Sequence, residues 1–570
     1  MLNTRKEWLI AGITLMLFLA LRLPAIHQPY HQDEYRWATI ANPLFHQEFG
    51  SHPPMNQVAL SVYGRFFGYD TLRVVPLMFS FGGLMLIYLI SIALSSSRRI
   101  GLIAALLYSV NIYSVIAGLQ IDIDGAILPF FVLLAYWAYL KVLDGDKRFR
   151  WLLVAAILGG LLTKLSFVLC LAALAVDVFL CMGGKANKSI STSVRFLKKN
   201  IVVVGLTTVS IVLGIIIACL LYAAEFSSVV AYASHFKSFN FGSRAYGDLG
   251  FKVVKSLFFA SPLLVLVGIA ALGVSELRQR YRFWWIYLGL NLMFYLVLFD
   301  FAKLTVERYF MFLIAPLCII AAGWIGGEIY NLQFTIYNFK KVTRMQWAAM
   351  GVLLYVLMLI ITIPHDALPL NPKNAYVNHL LSLRLNFLIP FTGGSGPVGF
   401  YFSALFIAVT FGFSMLLIVL AWRRQAWNEW MVLALLLVGI GYNLFFDTEY
   451  LFGFFYGSVP SVEQQAIEYV VSHQNIKEVI TYYDHGAYYL QLAGKYSARF
   501  YTAPTRDYTD RLTEYRGHYM VVDFPEIDKA SLYWKLISRC PAERQFSDGY
   551  VYAYIFDCTS LPSERSLTLR

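Results

Sequence analysis

Apolar runs long enough to cross a bilayer recur along most of the chain, near residues 8–23, 72–94, 100–117, 126–143, 151–163, 165–182, 201–222, 253–274, 283–299, 309–327, 346–363, 399–421 and 429–446. A helix of about 20 apolar residues spans the hydrocarbon layer because it satisfies its own backbone N–H and C=O groups, which water cannot reach there. The sequence therefore predicts an all-α polytopic membrane protein of thirteen spans. Composition agrees, with 58% apolar and only 14% charged residues, where a soluble domain carries roughly a quarter charged. The first run follows Arg5-Lys6 and ends in Arg22-Leu23-Pro24 with no small-x-small cleavage site, so it is read as a retained helix, not a removed signal.

Cytoplasmic connections should be rich in Lys and Arg, and alternate connections are. They hold Arg98-Arg99; Lys147, Arg148 and Arg150; Lys185, Lys188, Arg195, Lys198 and Lys199; Arg278, Arg280 and Arg282; Lys340, Lys341 and Arg344; and Arg423-Arg424. This places the N-terminus in the cytoplasm and the C-terminus outside, in a cytoplasmic membrane of the bacterial type. The formal charge of +12 is then an orientation signal. No soluble domain presents the basic groove with interleaved aromatics that nucleic acid requires, so nucleic acid is not an expected partner; membrane lipids are. The exported segments are 24–71, 118–125, 223–252, 300–308, 364–398 and the tail.

The tail differs in composition, which divides the chain into a transmembrane part, 1–446, and an exported α/β domain, 447–570. Ser461 is the expected cap of an amphipathic helix. Glu478–Tyr483 and His518–Asp523 alternate as strands, and Asp548-Gly549 turns a hairpin between Arg544–Phe546 and Tyr550–Phe556. Cys540 and Cys558 flank that hairpin on the oxidising side, where a disulfide is expected, whereas Cys170, Cys181, Cys219 and Cys318 sit in apolar runs as inert core residues. There is no CxxC pair and no zinc-ligand spacing.

Chemistry concentrates on the exported side. The first loop carries His31, Asp33, Glu34 and Arg36 and continues to His52-Pro53-Pro54; Asp122 and Asp124 flank Ile123 in a short turn; Lys164 follows Leu162-Thr163; Lys303, Arg308 and Tyr309 precede the tenth span. Each alone has an ordinary reading, since paired acids usually mark a solvated turn and a Lys at a span end usually snorkels. Charges at membrane boundaries are costly unless solvated or paired, so their recurrence on one face points to a shared polar site.

This order of motifs resembles the GT-C glycosyltransferases, nearest to the protein O-mannosyltransferase and lipid A aminoarabinose transferase group. The resemblance covers roughly residues 1–330 and is topological beyond. It implies transfer of a sugar from a polyprenyl-phosphate carrier to a lipid, glycan or protein acceptor on the outer face, with Asp33 at the position of the family's acidic catalytic residue. The chemistry is consistent: an acceptor hydroxyl needs a general base, and a departing lipid phosphate needs cations. Asp33 is the expected base, with Glu34 orienting the acceptor or holding a metal. Lys164, Lys303, Arg308, Tyr309 and Arg36 are expected at the donor phosphate, Arg because its fork matches phosphate oxygens. The bulky, cationic Tyr35-Arg36-Trp37 departs from the family's small residues after the acidic pair.

Asp122, Asp124 and His52 are read as structural or substrate-orienting, because a monophosphate carrier does not demand the metal bridge that Asp-x-Asp supplies to a diphosphate. A divalent metal is left open, with Glu34, His31 and His52 as its candidate ligands. The rival class is a multi-spanning lipid or glycan flippase, which should show internal repeats and midplane charges; neither is evident. A membrane-anchored binding protein would leave the first-loop acids unexplained.

Overall fold

The computed structural model describes residues 4–47, 53–183, 256–257, 259–298, 307–331, 344–369, 374–391, 399–423, 428–482, 484–500 and 517–560. Two compact units cut across chain order. One comprises Met1–Arg22, His46–Thr343 and Ser414–Ile440; the other comprises Leu23–Phe45, Arg344–Phe413 and Gly441–Arg570.

Among the described residues, five helices are long and apolar enough to cross a membrane: Glu7–Ala25, Val74–Ser95, Ile123–Leu143, Tyr309–Gly326 and Trp430–Phe452. Shorter apolar helices occupy Phe149–Thr163, Leu165–Leu180, Pro262–Leu272, Met350–Ile361 and Ala404–Leu420. The predicted run at 201–222 and the loop at 223–252 lie outside the described residues.

The helix Ile314–Asn331 packs on both Arg98–Val110 and Pro262–Leu272. Its apolar stretch is almost wholly buried inside the protein, as expected of a helix that is apolar all round. Gly323 lets it approach Tyr281, since a Cβ there would stand 2.1 Å from the Tyr281 hydroxyl.

The run predicted as one span at 100–117 is two helices, Arg98–Val110 and Ile112–Ala117, broken at Asn111. The Asn111 side chain accepts the Ser114 N–H at 3.2 Å and donates to the Ala260 carbonyl at 3.0 Å. A side chain that competes for backbone partners in this way favours a break and a new start over helix continuation.

In the other unit, residues read as irregular loop form a sheet. Strand β1 (Asp366–Ala367) pairs parallel with β2 (Phe387–Phe391), which pairs antiparallel with β3 (Phe400–Ser403). The run expected to span from 399 thus begins as β3 and turns helical only at Ala404, and the helix Asn428–Phe452 continues past Asp447, where the tail was expected to begin.

A second sheet has the order β5-β4-β6-β8-β7, with β4 (Val479–Tyr482), β5 (Tyr496–Phe500), β6 (His518–Asp523), β7 (Ala542–Asp548) and β8 (Val551–Asp557). Strand β4 runs parallel to β5 and β6, and β6, β8 and β7 are antiparallel. The central β6 is buried along its whole length, whereas the edge strand β7 carries Glu543, Arg544 and Gln545, which blunt further pairing. The expected hairpin and the Cys540–Cys558 disulfide are both present, the bridge sitting in a core with Tyr482, Tyr519, Val521 and Phe556. One cap differs: the helix Val459–Ser472 is capped by Ser458, whose hydroxyl accepts the Ser461 N–H. The reason is Pro460, which suits the first turn and moves the helix start upstream of Ser461.

Candidate active site

Asp33 and Glu34 open a nine-residue helix, Asp33–Ala41, where irregular loop was expected. Two acids in a first turn face the positive end of the helix dipole, which favours a helix start there. Gln32 precedes them at φ 48°, a conformation that costs on the order of 1–3 kcal/mol and persists only where the surroundings enforce it. The His31 carbonyl accepts the Glu34 N–H at 3.0 Å.

The two carboxylates diverge. Glu34 is fully buried on the helix face shared with Trp37, Ala38 and Ala41. Asp33 is partly exposed, one turn before the exposed Arg36.

The same unit holds this helix from the tail side. The His31 ring lies 4.4 Å from the His485 ring, and Tyr30 packs on Tyr488 at 5.1 Å and on Tyr489 at 5.9 Å. The Tyr35 hydroxyl donates to Gln491 Oε1 at 2.7 Å, and Asn42 Nδ2 donates to the Tyr488 hydroxyl at 3.0 Å. Beneath them, the buried Glu463 accepts the Gly486 N–H at 2.6 Å and lies 3.5 Å from His485 Nδ1. Burial drives the His485 pKa down to about 3, so its ring is neutral at ordinary pH.

Gly486 sits at φ 66°, and a Cβ there would approach Ile467 to 2.6 Å. None of these tail residues was singled out from sequence, although the string Asp484-His485-Gly486-Ala487-Tyr488-Tyr489 joins a turn glycine to histidine and aromatics.

The other unit gathers a different cluster. Asp122 caps the turn Ile123–Ile127 by accepting the Ile123 N–H, and Asp124 follows within that turn. Lys164, at the end of the helix Phe149–Thr163, donates to both Asp124 oxygens at 2.6 and 2.7 Å. Its Nζ also stands 4.6 Å above the Tyr309 ring, and Tyr309 stacks on Tyr295. Burial opposes the ammonium, but Asp124 together with Tyr295 and Tyr309 outweighs it, and the Lys164 pKa is raised.

Asp124, Ser166, Asn291, Tyr295 and Tyr309 line a cavity of about 20 Å³, room for one water molecule. Asn291, a lone amide in the run Leu288–Tyr295, was the overlooked signal there.

Two buried arginines, likewise missed as site features, hold the segment leading to Asp122. Arg22 donates to the Ser109 carbonyl at 2.9 Å and to the Ser114 hydroxyl at 2.8 Å, and Arg73 donates to the Leu119 carbonyl at 3.1 Å. Of the remaining predicted residues, His52 and Lys303 lie outside the described residues, and Arg308 is described in backbone only, within the turn Glu307–Leu313. Among the described residues no three His, Cys, Asp or Glu side chains are placed to share a metal.

Residues 51–215 match the family model of dolichyl-phosphate-mannose-protein mannosyltransferase. No curated protein sequence matches the chain. Two solved structures of ArnT from Cupriavidus metallidurans are similar over nearly the whole length. The apo form is 12% identical with a TM-score of 0.51, covering 97% of this chain and 98% of that one. The form bound to undecaprenyl phosphate is 13% identical with a TM-score of 0.54 and the same 97% and 98% coverage. At these identities the likeness is one of fold.

Proposed function

The chain has the fold of the GT-C membrane glycosyltransferases, and on that premise we propose that it moves a sugar from a polyprenyl-phosphate carrier to an acceptor at the outer face of the membrane. Asp33 takes the proton from the acceptor hydroxyl as its oxygen bonds to the anomeric carbon. The bond from that carbon to the phosphate oxygen breaks, and the departing phosphate is met by Arg308, Lys303 and Lys164, with Tyr309 adding a hydroxyl donor. Asp124 keeps Lys164 charged and in place, Asp122 shapes the turn that carries Asp124, and Glu34 supports its helix from the buried side. The thirteen-span arrangement, with a cytoplasmic N-terminus and an exported tail, belongs to the same reading.

The observation that carries this proposal is the divergence of the two acids: Glu34 is buried while Asp33 keeps an open face. A base that must meet an exchanging acceptor needs that access. Transfer of labelled sugar from an undecaprenyl-phosphate donor, in membranes carrying the protein, tests it. Arg308→Ala should lower transfer about 10- to 100-fold, the worth of charged hydrogen bonds to phosphate. Arg308→Lys should recover only part, because a point charge does not reproduce the fork. Donor crossing the bilayer with its sugar retained would instead favour the flippase.

A further inference from the structure

A helix of nine residues does not hold its own conformation in water, so the direction in which Asp33–Ala41 presents its side chains is set by what packs on it. Its flanks and one face are gripped repeatedly by a single short stretch of the tail. Tyr30, His31, Tyr35, Asn42 and Phe45 all meet His485, Tyr488, Tyr489 or Gln491. The grip reaches Asp33 by the shortest covalent route. His31 packs against His485 with its ring tilted, its carbonyl closes the first turn on Glu34, and Gln32, held at φ 48°, is all that separates it from Asp33. The tail side is itself anchored, because Glu463 ties the Gly486 backbone from the neighbouring helix Val459–Ser472.

We propose that the C-terminal α/β domain is a positioning element for the transfer reaction: through Gln491, Tyr488 and His485, with the Glu463–Gly486 bond behind them, it fixes the helix that carries Asp33. This rests on Asp33 being the base. Gln491 and Tyr488 are positioning residues, acting through Tyr35 and Asn42, and loss of the grip lowers turnover without weakening donor capture, which is assigned to the basic residues of the other unit.

The test uses full-length protein in nanodiscs, with undecaprenyl-phosphate-linked sugar as donor. Gln491 is only partly buried at the end of its helix, so its variants should fold where Glu463 variants fail. Gln491→Ala and Tyr35→Phe should each lower kcat about five- to tenfold with the donor KM unchanged, as loss of one positioning hydrogen bond implies.

The double variant should be no slower than either single one, because both remove the same bond. Gln491→Glu, which still accepts from the Tyr35 hydroxyl, should keep most of the rate. Unchanged kcat in Gln491→Ala, multiplicative losses in the double variant, or equal effects on kcat and KM would overturn the inference. A wild-type protein that transfers no sugar would remove the reading beneath it, and hydrogen exchange then decides the brace alone. Gln491→Ala should speed exchange at residues 33–41 and not along Val74–Ser95; equal rates in both proteins would refute it.

Discussion

The two charged clusters solve opposite problems. Asp124 is enclosed, and both of its oxygens are taken by Lys164. Asp33 stands at a helix start, partly open, beside a second acid that is buried. A carboxylate locked to an ammonium is poorly placed to accept a proton from an exchanging acceptor, but it is a good device for holding a cation where water is scarce. The difference separates two roles that the sequence presents as one kind of residue: acids in short polar connections between apolar runs.

The sharpest break between them comes from isosteric substitution. Asp33→Asn keeps shape and hydrogen bonding but removes proton acceptance, and general-base catalysis is worth about 10²–10⁴-fold in rate. Transfer by the purified protein should fall by that amount with donor binding intact, whereas Glu34→Gln should be milder. Near-normal turnover by Asp33→Asn, with acceptor in excess, would move the base to Glu34 or Asp122.

Lys164→Met strands Asp124 and should lower stability by roughly 3–5 kcal/mol, the usual result of breaking a buried pair on one side. Adding Asp124→Leu should return most of the unfolding midpoint, since an apolar pair of similar volume is often neutral or better. Transfer should stay low in the double variant. Recovery of both would make the pair purely structural.

The smallest effect lies far from either cluster, on β6. Burial lifts the Asp523 pKa from 3.8 to about 6, with Glu526 adding to the rise and the Ile527 N–H opposing it. The folded state therefore holds a proton that the unfolded chain has released. This contribution is complete below about pH 3.8 and is lost as pH rises through 6, a change on the order of 2–3 kcal/mol. Hydrogen exchange of residues 518–523, compared between the wild type and Asp523→Asn at each pH, should converge near pH 4. Protection should favour the variant above pH 6; equal protection at every pH would sink the assignment.

Much of the tail was legible because its signals are local. The strand pattern of His518–Asp523, the turn at Asp548-Gly549 and the two flanking cysteines each carry their own geometry. The break at Asn111 and the sheet across residues 366–403 were not legible. One depends on a carbonyl 149 residues away, at Ala260; the other on pairing strands that read as loop or as the start of a span.

By itself the sequence determined that this chain lives in a membrane, and it set the expectation of which residue types face one side of it. Hydrophobic length and Lys/Arg placement act through the bilayer, without needing any partner in the fold. Only the tertiary structure decided what each acid touches. Asp124 and Lys164 are 40 residues apart and Tyr35 and Gln491 are 456 apart, and no period or spacing encodes such a meeting. It is set by the packing of whole helices and sheets, which brings a buried charge its counter-ion and gives a nine-residue helix its support.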